Sequence, residues 1–449
     1  MRRPLHAVMG LSVAVGLALL AAAARPSTRA TGDHPVEVKA SLEARLREAD
    51  IALFQRRAAE DPWSAADRAR LASLYLQRAR ESGSQFDLQR AESLAVSALR
   101  LRESRNEDVL AVLAGARLAL HDFTGALDAA RTLVARDSTE PLHRALLGEV
   151  LLELGDYDAA GAIFRPLERE TSRLSVAVRL ARWYELTGRL RHARNVMRHT
   201  LRRVLDEGRS TSEQEAWVHL RLGEIELKAG AVERAESLFV DGLRRFPNDY
   251  RLLGALAAAA ARREDWGSVI EAGERAIAIH LEPATLGLLS EAYASLGDWM
   301  QSASYARALR ASALSQPGPI HRAWGLFLLD HGYAADGVLT RARRELDTRR
   351  DVYGYDLVAW ALHARGRNEE AWFFMERALT QGTEDALLWY HAARIAEANG
   401  NIDAARHFAS RAMALNPRFH PVHADQARRI ADETAVTEEA MARTSGVVQ

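Results

Sequence analysis

Short turns recur along this chain at spacings near 34 residues, and this period constrains the fold more than any other feature. The turn glycines are Gly155, Gly188, Gly230, Gly297, Gly332, Gly366 and Gly400. Glu264 takes the corresponding place between the third and fourth of them. A fixed period of this size is typical of one small unit stacked many times, so the chain is expected to fold as an array without a single central core.

Two columns of small residues flank the turns. The column seven positions before each turn holds Ala114, Gly148, Ala181, Gly223, Ala257, Ser290, Gly325, Ala359 and Ala393. The column five positions after it holds Ala126, Ala160, Ala193, Ala235, Ser302, Gly337, Ala371 and Ala405, with Val269 as the exception. Larger apolar residues follow beside them with helical spacing. The pattern predicts antiparallel helix pairs, because two helices approach closely only where both carry small side chains.

This pattern resembles the tetratricopeptide repeat (TPR), an antiparallel helix pair of 34 residues. One of the best units contains Trp389, Ala393, Gly400, Ala405 and Pro417. The resemblance implies an all-α fold, a right-handed α-solenoid of about ten stacked units with capping helices, over residues 65–417 and nearly 80% of the chain. The units are expected to begin near residues 65, 107, 141, 174, 216, 250, 283, 318, 352 and 386.

The segments outside the repeats have separate predictions. We expect a linker and an N-terminal capping helix in residues 31–64, a C-terminal capping helix in 418–432 and a disordered tail in 433–449. An insertion between Thr200 and Glu215 is interpreted as a loop, with a kink or a contact site as the alternative. Within it, Gly208 is expected to end a helix, and Ser210 or Thr211 to cap the next one.

The N-terminus has the layout of an export signal. Arg2 and Arg3 precede an apolar run from Ala7 to Ala24, and small residues follow. Residues 1–30 are therefore predicted to be a signal peptide, or an uncleaved anchor that holds the protein in the inner membrane through residues 7–24. Either alternative predicts a bacterial protein exported to the periplasm or another extracytoplasmic space, with membrane contact through this segment alone.

Composition and motifs argue against several functions. Lys+Arg and Asp+Glu both total 60, and this balance argues against nucleic acid as a partner. Only Lys39 and Lys228 are lysines, and cysteine is absent. The sequence contains no HExxH, Walker or GxSxG motif, and the spaced pair His192 and His199 lacks an acidic helper. We therefore predict no catalytic residue, cofactor or metal.

The resemblance also implies a binding surface. In this family, places 2, 5, 9 and 12 of each unit line the inner face of the array, where protein or peptide partners bind. The C-terminal candidates are Tyr353, Asp356, Trp360, His363, Tyr390, Arg394 and Glu397, and the central candidates are Arg182, Glu185 and Trp217. Aromatic side chains beside charges are typical of recognition surfaces. Aromatic side chains at helical spacing are also typical of packing, and this alternative stays open.

The sequence thus predicts a non-enzymatic scaffold that binds protein or peptide partners in the cell envelope. The alternative is an accessory or regulatory subunit of an envelope secretion or polysaccharide assembly machine. An enzyme built on helical repeats is disfavoured, because no acid, base or nucleophile is clustered.

Overall fold

The computed structural model describes residues 35–315, 320 and 322–432, and within these ranges the chain is helical and has no strand. Ten antiparallel helix pairs, pair 1 to pair 10, follow one another along the chain. Their first helices are α2 (Ala65–Ser82), α4 (Glu107–Ala119), α6 (Pro141–Leu154), α8 (Leu174–Leu186), α10 (Ser212–Lys228), α12 (Tyr250–Ala261), α14 (Pro283–Ser295), α16 (Arg322–Asp330), α18 (Val352–His363) and α20 (Ala386–Ala398). Their second helices are α3 (Gln85–Leu101), α5 (Phe123–Arg136), α7 (Tyr157–Leu167), α9 (Leu190–Glu207), α11 (Val232–Arg245), α13 (Trp266–Ile279), α15 (Trp299–Ser315), α17 (Ala335–Glu345), α19 (Asn368–Leu379) and α21 (Ile402–Leu415).

The predicted all-α solenoid of about ten helix pairs is confirmed. The first helices begin at, or within four residues of, the expected starts. Helix α1 (Pro35–Glu60) precedes the pairs, and a last helix, α22, covers residues 423–432. The predicted export segment 1–30 and tail 433–449 lie outside the described residues. No described helix combines the length and apolarity needed to cross a membrane.

The recurrent turns work as helix ends and helix starts at once. Gly155 ends α6 with a φ of 84°, a left-handed conformation that favours glycine. Asp156 follows it, and its carboxylate accepts a hydrogen bond of 3.1 Å from the backbone N–H of Ala159, which caps α7. Glu264 adopts the same left-handed conformation, with a φ of 58°. The Gly-Asp dipeptide therefore stops one helix and starts its partner.

The small-residue columns lie where the two helices of a pair touch. A Cβ atom added to Gly148 would lie 2.7 Å from the ring of Phe164, and one added to Gly223 would lie 2.3 Å from Phe239. Pair 8 departs from the expected column, because Gly337 is exposed and the next residue, Val338, is buried instead. The column has therefore shifted by one residue in that pair.

The array winds into a superhelix whose second turn lies directly on its first. The phenol oxygen of Tyr157, in the loop of pair 3, accepts a hydrogen bond of 2.9 Å from the backbone N–H of Val352, 195 residues later. A Cβ atom on Gly83, in the loop of pair 1, would lie 2.7 Å from the ring of His280. The loop inside each of these pairs thus meets the segment that joins two pairs one superhelical turn later.

The ends of the array are covered as far as the structure describes them. Ile51 of α1 is buried against α2, whereas Leu42, Leu46 and Leu53 of the same helix are exposed. At the other end, Ile430 of α22 packs against pair 10.

The insertion before α10 folds as predicted and adds a contact. Gly208 ends α9 with a φ of 57°, and Thr211 caps α10 in a capping box with Gln214. The carbonyl of Ser210 accepts a hydrogen bond of 2.9 Å from the ammonium of Lys39. The insertion therefore serves as a contact site for α1, which was the alternative to a plain loop.

Candidate partner-binding surface

Tyr353 lies at the centre of an ion network between the two superhelical turns. Its hydroxyl accepts a hydrogen bond of 2.9 Å from the ammonium of Lys228 and donates one of 3.1 Å to the carboxylate of Asp385. Lys228 also donates a hydrogen bond of 2.7 Å to Glu185 and lies 3.3 Å from Asp385. The side chains of Tyr353, Glu185 and Asp385 are buried. This network joins pairs 4 and 5 to pairs 9 and 10.

The network holds its carboxylates in the ionised form. Burial alone raises the pKa of Glu185, but Lys228, Arg182 and Arg221 together hold that pKa well below its usual range. Arg182 lies 3.2 Å and Arg221 3.0 Å from the Glu185 carboxylate. Burial likewise raises the pKa of Asp385, and the opposing cations, led by Lys228, lower it to about 2. The predicted central residues Arg182 and Glu185 therefore have internal partners.

A second buried cluster surrounds Asp356. One of its carboxylate oxygens lies 2.7 Å from Nδ1 of His391, and the other accepts hydrogen bonds of 2.5 and 3.1 Å from Arg322. The ring of Trp360 stacks on His391 with centroids 4.1 Å apart. Burial raises the pKa of Asp356, but the charges of His391 and Arg322 lower it below its usual range.

The remaining aromatic candidates pack under α22. The indole N–H of Trp360 donates a hydrogen bond of 2.8 Å to Asp330, and His423 lies 3.2 Å from that same side chain. Tyr390 stacks on His423 at 4.7 Å, and its hydroxyl donates to Gln426. The expectation of an open C-terminal aromatic surface is therefore corrected for Tyr353, Asp356, Trp360 and Tyr390, because α22 and the neighbouring superhelical turn cover them.

The other C-terminal candidates lie at the edge of this packing. His363 is half-buried, with Nδ1 2.8 Å from the side-chain oxygen of Asn368. Arg394 and Glu397 are half-buried and pair with each other at 2.6 Å. Partner binding at these three residues stays a prediction.

The open part of the inner face lies in the first superhelical turn. Two adjoining cavities of about 520 and 450 Å³ share Arg80, Glu149 and Arg179 in their lining, and we call them together the inner cavity. Trp217, a predicted central candidate, is half-buried and lines the smaller one. Phe123 lines the larger one. This surface combines aromatic side chains with charge, as the sequence predicts for the inner face.

Most charges of the inner cavity are paired. Arg179 donates a hydrogen bond of 2.7 Å to Glu149, and Arg349 lies 3.2 Å from Glu153 and 2.8 Å from Asp351. Arg80 differs, because no hydrogen bond or ion pair joins its exposed side chain to another residue within the described ranges. The inner cavity therefore presents one arginine whose charge is available to a ligand.

Comparison with known proteins supports the fold. No protein-family model and no curated protein matches the sequence. Among solved structures, the chain is similar to a thermophilic TPR protein of Thermus thermophilus, with 21% identity, a TM-score of 0.35, and coverage of 42% of this chain and 98% of that one. A tetratricopeptide repeat protein of Parabacteroides merdae matches at 13% identity and a TM-score of 0.37, over 54% and 92% of the two chains. The Cut9–Hcn1 hetero-tetramer of the APC/C matches at 12% identity and a TM-score of 0.33, over 88% and 96%.

Likeness at this level carries no argument about function, and the family assignment rests on the repeat itself. Ten helix pairs follow the 34-residue period, with the turn glycines and small-residue columns in their expected places. The chain is a TPR array. A TPR array is a scaffold suited to protein–protein interaction.

Sequence reasoning missed Arg80 as a site residue of the TPR array. The available signal was the register break that begins at Arg80, where the turn of pair 1 is longer than the others. No group of three or more His, Asp or Glu side chains within the described part of the chain is arranged to hold a metal ion.

Proposed function

We propose that this TPR array is a non-enzymatic scaffold that binds a segment of a partner protein in the inner cavity. The observation that carries the proposal is Arg80, an unpaired arginine that lines both halves of that cavity. A partner segment would place an acidic group against Arg80 and an apolar side chain against Trp217. The buried network around Tyr353 would hold the two superhelical turns together and so fix the shape of the cavity.

The proposed location is the cell envelope. It is supported by Arg2, Arg3 and the apolar run 7–24, which are typical of an export signal. Expression of the full chain, followed by cell fractionation and mass spectrometry of the mature N-terminus, tests this proposal. Recovery in the cytoplasmic fraction with residues 1–30 intact would contradict export.

Affinity capture tests the binding site. The full chain, the double variant Arg80→Ala/Trp217→Ala and the control Arg100→Ala are used as bait on envelope extracts, and captured proteins are identified by mass spectrometry. Arg100 is an exposed arginine of α3 that has no ion pair in the described ranges and does not line the cavity. We expect a partner captured by the wild type and by the control to be lost with the double variant.

Circular dichroism separates loss of binding from loss of folding. Arg80 is exposed and Trp217 is half-buried, so the double variant should keep the helical spectrum of the wild type. Capture of the same partner in equal amount by a folded double variant would overturn the assignment of the inner cavity.

A further inference from the structure

A separate cavity of about 530 Å³ lies near the C-terminal end of the array, and we call it the terminal cavity. It lies beside the turns of pairs 6, 7 and 8 and under residues 420–423. Trp266, Trp299 and Tyr333 line it together with three acidic residues. It shares no residue with the inner cavity.

The terminal cavity exists because the superhelix stops. In pair 3, the aromatic residue after the turn, Tyr157, is covered by Val352 of the next superhelical turn. Trp266 and Trp299 hold the same place in pairs 6 and 7, but the array ends with pair 10, before it can cover them. A Cβ atom added to Gly297, in the turn of pair 7, would meet nothing within 4 Å. The terminal cavity is thus an inter-turn slot that no helix pair fills.

The charge of the cavity has one sign. Glu264, Glu291 and Asp330 line it, and no lysine or arginine does so within the described ranges. Asp330 is engaged by Trp360 and His423. Glu291 has no hydrogen bond or ion pair in the described part of the chain, although it occupies place 9 of its unit, the place that Trp360 has in pair 9. A carboxylate is therefore left for a ligand to pair with.

The aromatic walls suit the same kind of ligand. Trp299 has 70% of its surface exposed, the first requirement for an external cation to reach its face. The guanidinium of Arg310 already lies 4.5 Å from the ring centroid of Tyr333, so this end of the array engages a cation on an aromatic face within the chain itself. Trp299 is the platform that stays free.

Burial and the charge of Asp330 raise the pKa of Glu291 to about 7. The other titratable groups that line the cavity are Glu264, His331, His420 and His423. Burial lowers the pKa of His420 to about 3, so its imidazole is neutral at pH 8 and does not compete for the carboxylate. A bound cation would favour the ionised form of Glu291. The ligand is not a metal ion, because no His, Asp and Glu side chains of the described residues converge with metal-binding geometry.

We propose that the terminal cavity binds the ammonium or guanidinium group of a lysine or arginine side chain from a partner protein, with Glu291 as the counter-ion and Trp299 as the aromatic platform. This site is additional to the inner cavity and does not depend on it. An array with both sites would hold an acidic part of a partner near Arg80 and a basic part beside Glu291.

Titration of tryptophan fluorescence at pH 8 tests the proposal on the full chain. The probes are acetylated, amidated tri-arginine and tri-lysine, with tri-glutamine as the neutral probe and spermidine as a free polyamine. The variants are Glu291→Gln and Trp299→Ala, and their controls are Glu271→Gln, an exposed glutamate of α13, and Trp63→Ala, an exposed tryptophan before α2.

We expect the cationic peptides to bind the wild type and both controls, and to bind Glu291→Gln and Trp299→Ala at least tenfold more weakly. Equal binding to Glu291→Gln, equal binding of tri-glutamine, or no binding of either cationic peptide would overturn the proposal. Tighter binding of spermidine than of the peptides would overturn the assignment to a partner side chain. Isothermal calorimetry covers Trp299→Ala, because that variant has lost part of the optical signal.

Discussion

The hydroxyl of Thr383 donates a hydrogen bond of 2.5 Å to the backbone carbonyl of Leu186, although 197 residues separate them. Two similar bonds lie beside it: the side-chain amide of Asn416 donates to the carbonyl of Leu227, and the N–H of Arg350 donates to that of Leu154. All three acceptors lie in the last turn of a first helix, where carbonyls lack partners within the helix. The second superhelical turn thus completes the helix ends of the first turn.

Replacement of Gly188 by alanine should open this contact. Gly188 has a φ of 66°, and an added Cβ would lie 2.4 Å from the carbonyl oxygen of Gly382. Gly366 is a matched control, because it has a φ of 70° and nothing within 4 Å of the added Cβ. Both changes should cost about 1 kcal/mol for the left-handed backbone. Gly188→Ala should cost roughly 1–3 kcal/mol more, because backbone atoms must move apart.

Urea denaturation and hydrogen exchange measure the difference. Amides of residues 382–388 should exchange faster in Gly188→Ala than in Gly366→Ala, because the segment that contacts the α8 end is released. Equal stability losses and equal exchange in the two variants would show that the two superhelical turns do not stabilise each other through this contact.

Replacement of Lys228 by methionine should destabilise the array strongly. The change leaves the buried carboxylates of Glu185 and Asp385 without their shared cation. Loss of one partner from a buried ionic cluster typically costs about 3–5 kcal/mol. Arg394→Met is the control, since Arg394 pairs with Glu397 at a half-buried edge, where such a pair contributes about 1 kcal/mol or less. A small, equal effect of both variants in thermal denaturation would contradict the proposed role of this network.

Glu291→Gln should stabilise the protein at high pH. The folded-state pKa of Glu291 is about 7, against an ordinary value of 4.5. Between these values the folded state binds more protons than the unfolded state, so the wild type loses stability as the pH rises through this window. At pH 8 the variant should gain about 2 kcal/mol, and the gain should vanish near pH 4.5.

Melting curves of Glu291→Gln and of the control Glu271→Gln between pH 4.5 and 8 provide the measurement. The control should show no pH-dependent gain, because Glu271 is exposed. A gain for Glu291→Gln that is the same at both ends of this pH range would show that the effect is packing and not ionisation.

The sequence contains what the helix pair needs and little of what the superhelix needs. Gly155 and Asp156 act on neighbouring residues, so their role as helix end and helix cap was readable from the pattern. The contact of Tyr157 with Val352 depends on small rotations that add up over several pairs. No local pattern encodes that sum, so the burial of the C-terminal aromatic candidates was not predictable.

Lysine usage offered one unread signal about the inner face. Lys39 and Lys228 are the only lysines of the sequence, and each makes a contact that links distant parts of the array. Lys39 joins α1 to the insertion before α10, and Lys228 joins pair 5 to Glu185 of pair 4 and Asp385 of pair 10. A residue type that is used twice in a chain rich in arginine points to positions where the shape of the cation matters.

The double change Lys39→Ala/Glu43→Ala should release the N-terminal half of α1. Lys39 lies 2.9 Å from Glu215 as well as from the Ser210 carbonyl, and Glu43 accepts a hydrogen bond of 3.0 Å from the N–H of Ser212. Residues further along α1, including Ile51, pack on α2 and should stay in place. We therefore expect faster hydrogen exchange in residues 39–46 with little change in residues 51–60, and a small loss of stability, about 1 kcal/mol. The control is Glu60→Ala, a change at the exposed end of the same helix. Unchanged exchange in residues 39–46 would mean that α1 is held by its packing on α2 alone, and that the insertion before α10 is only a loop.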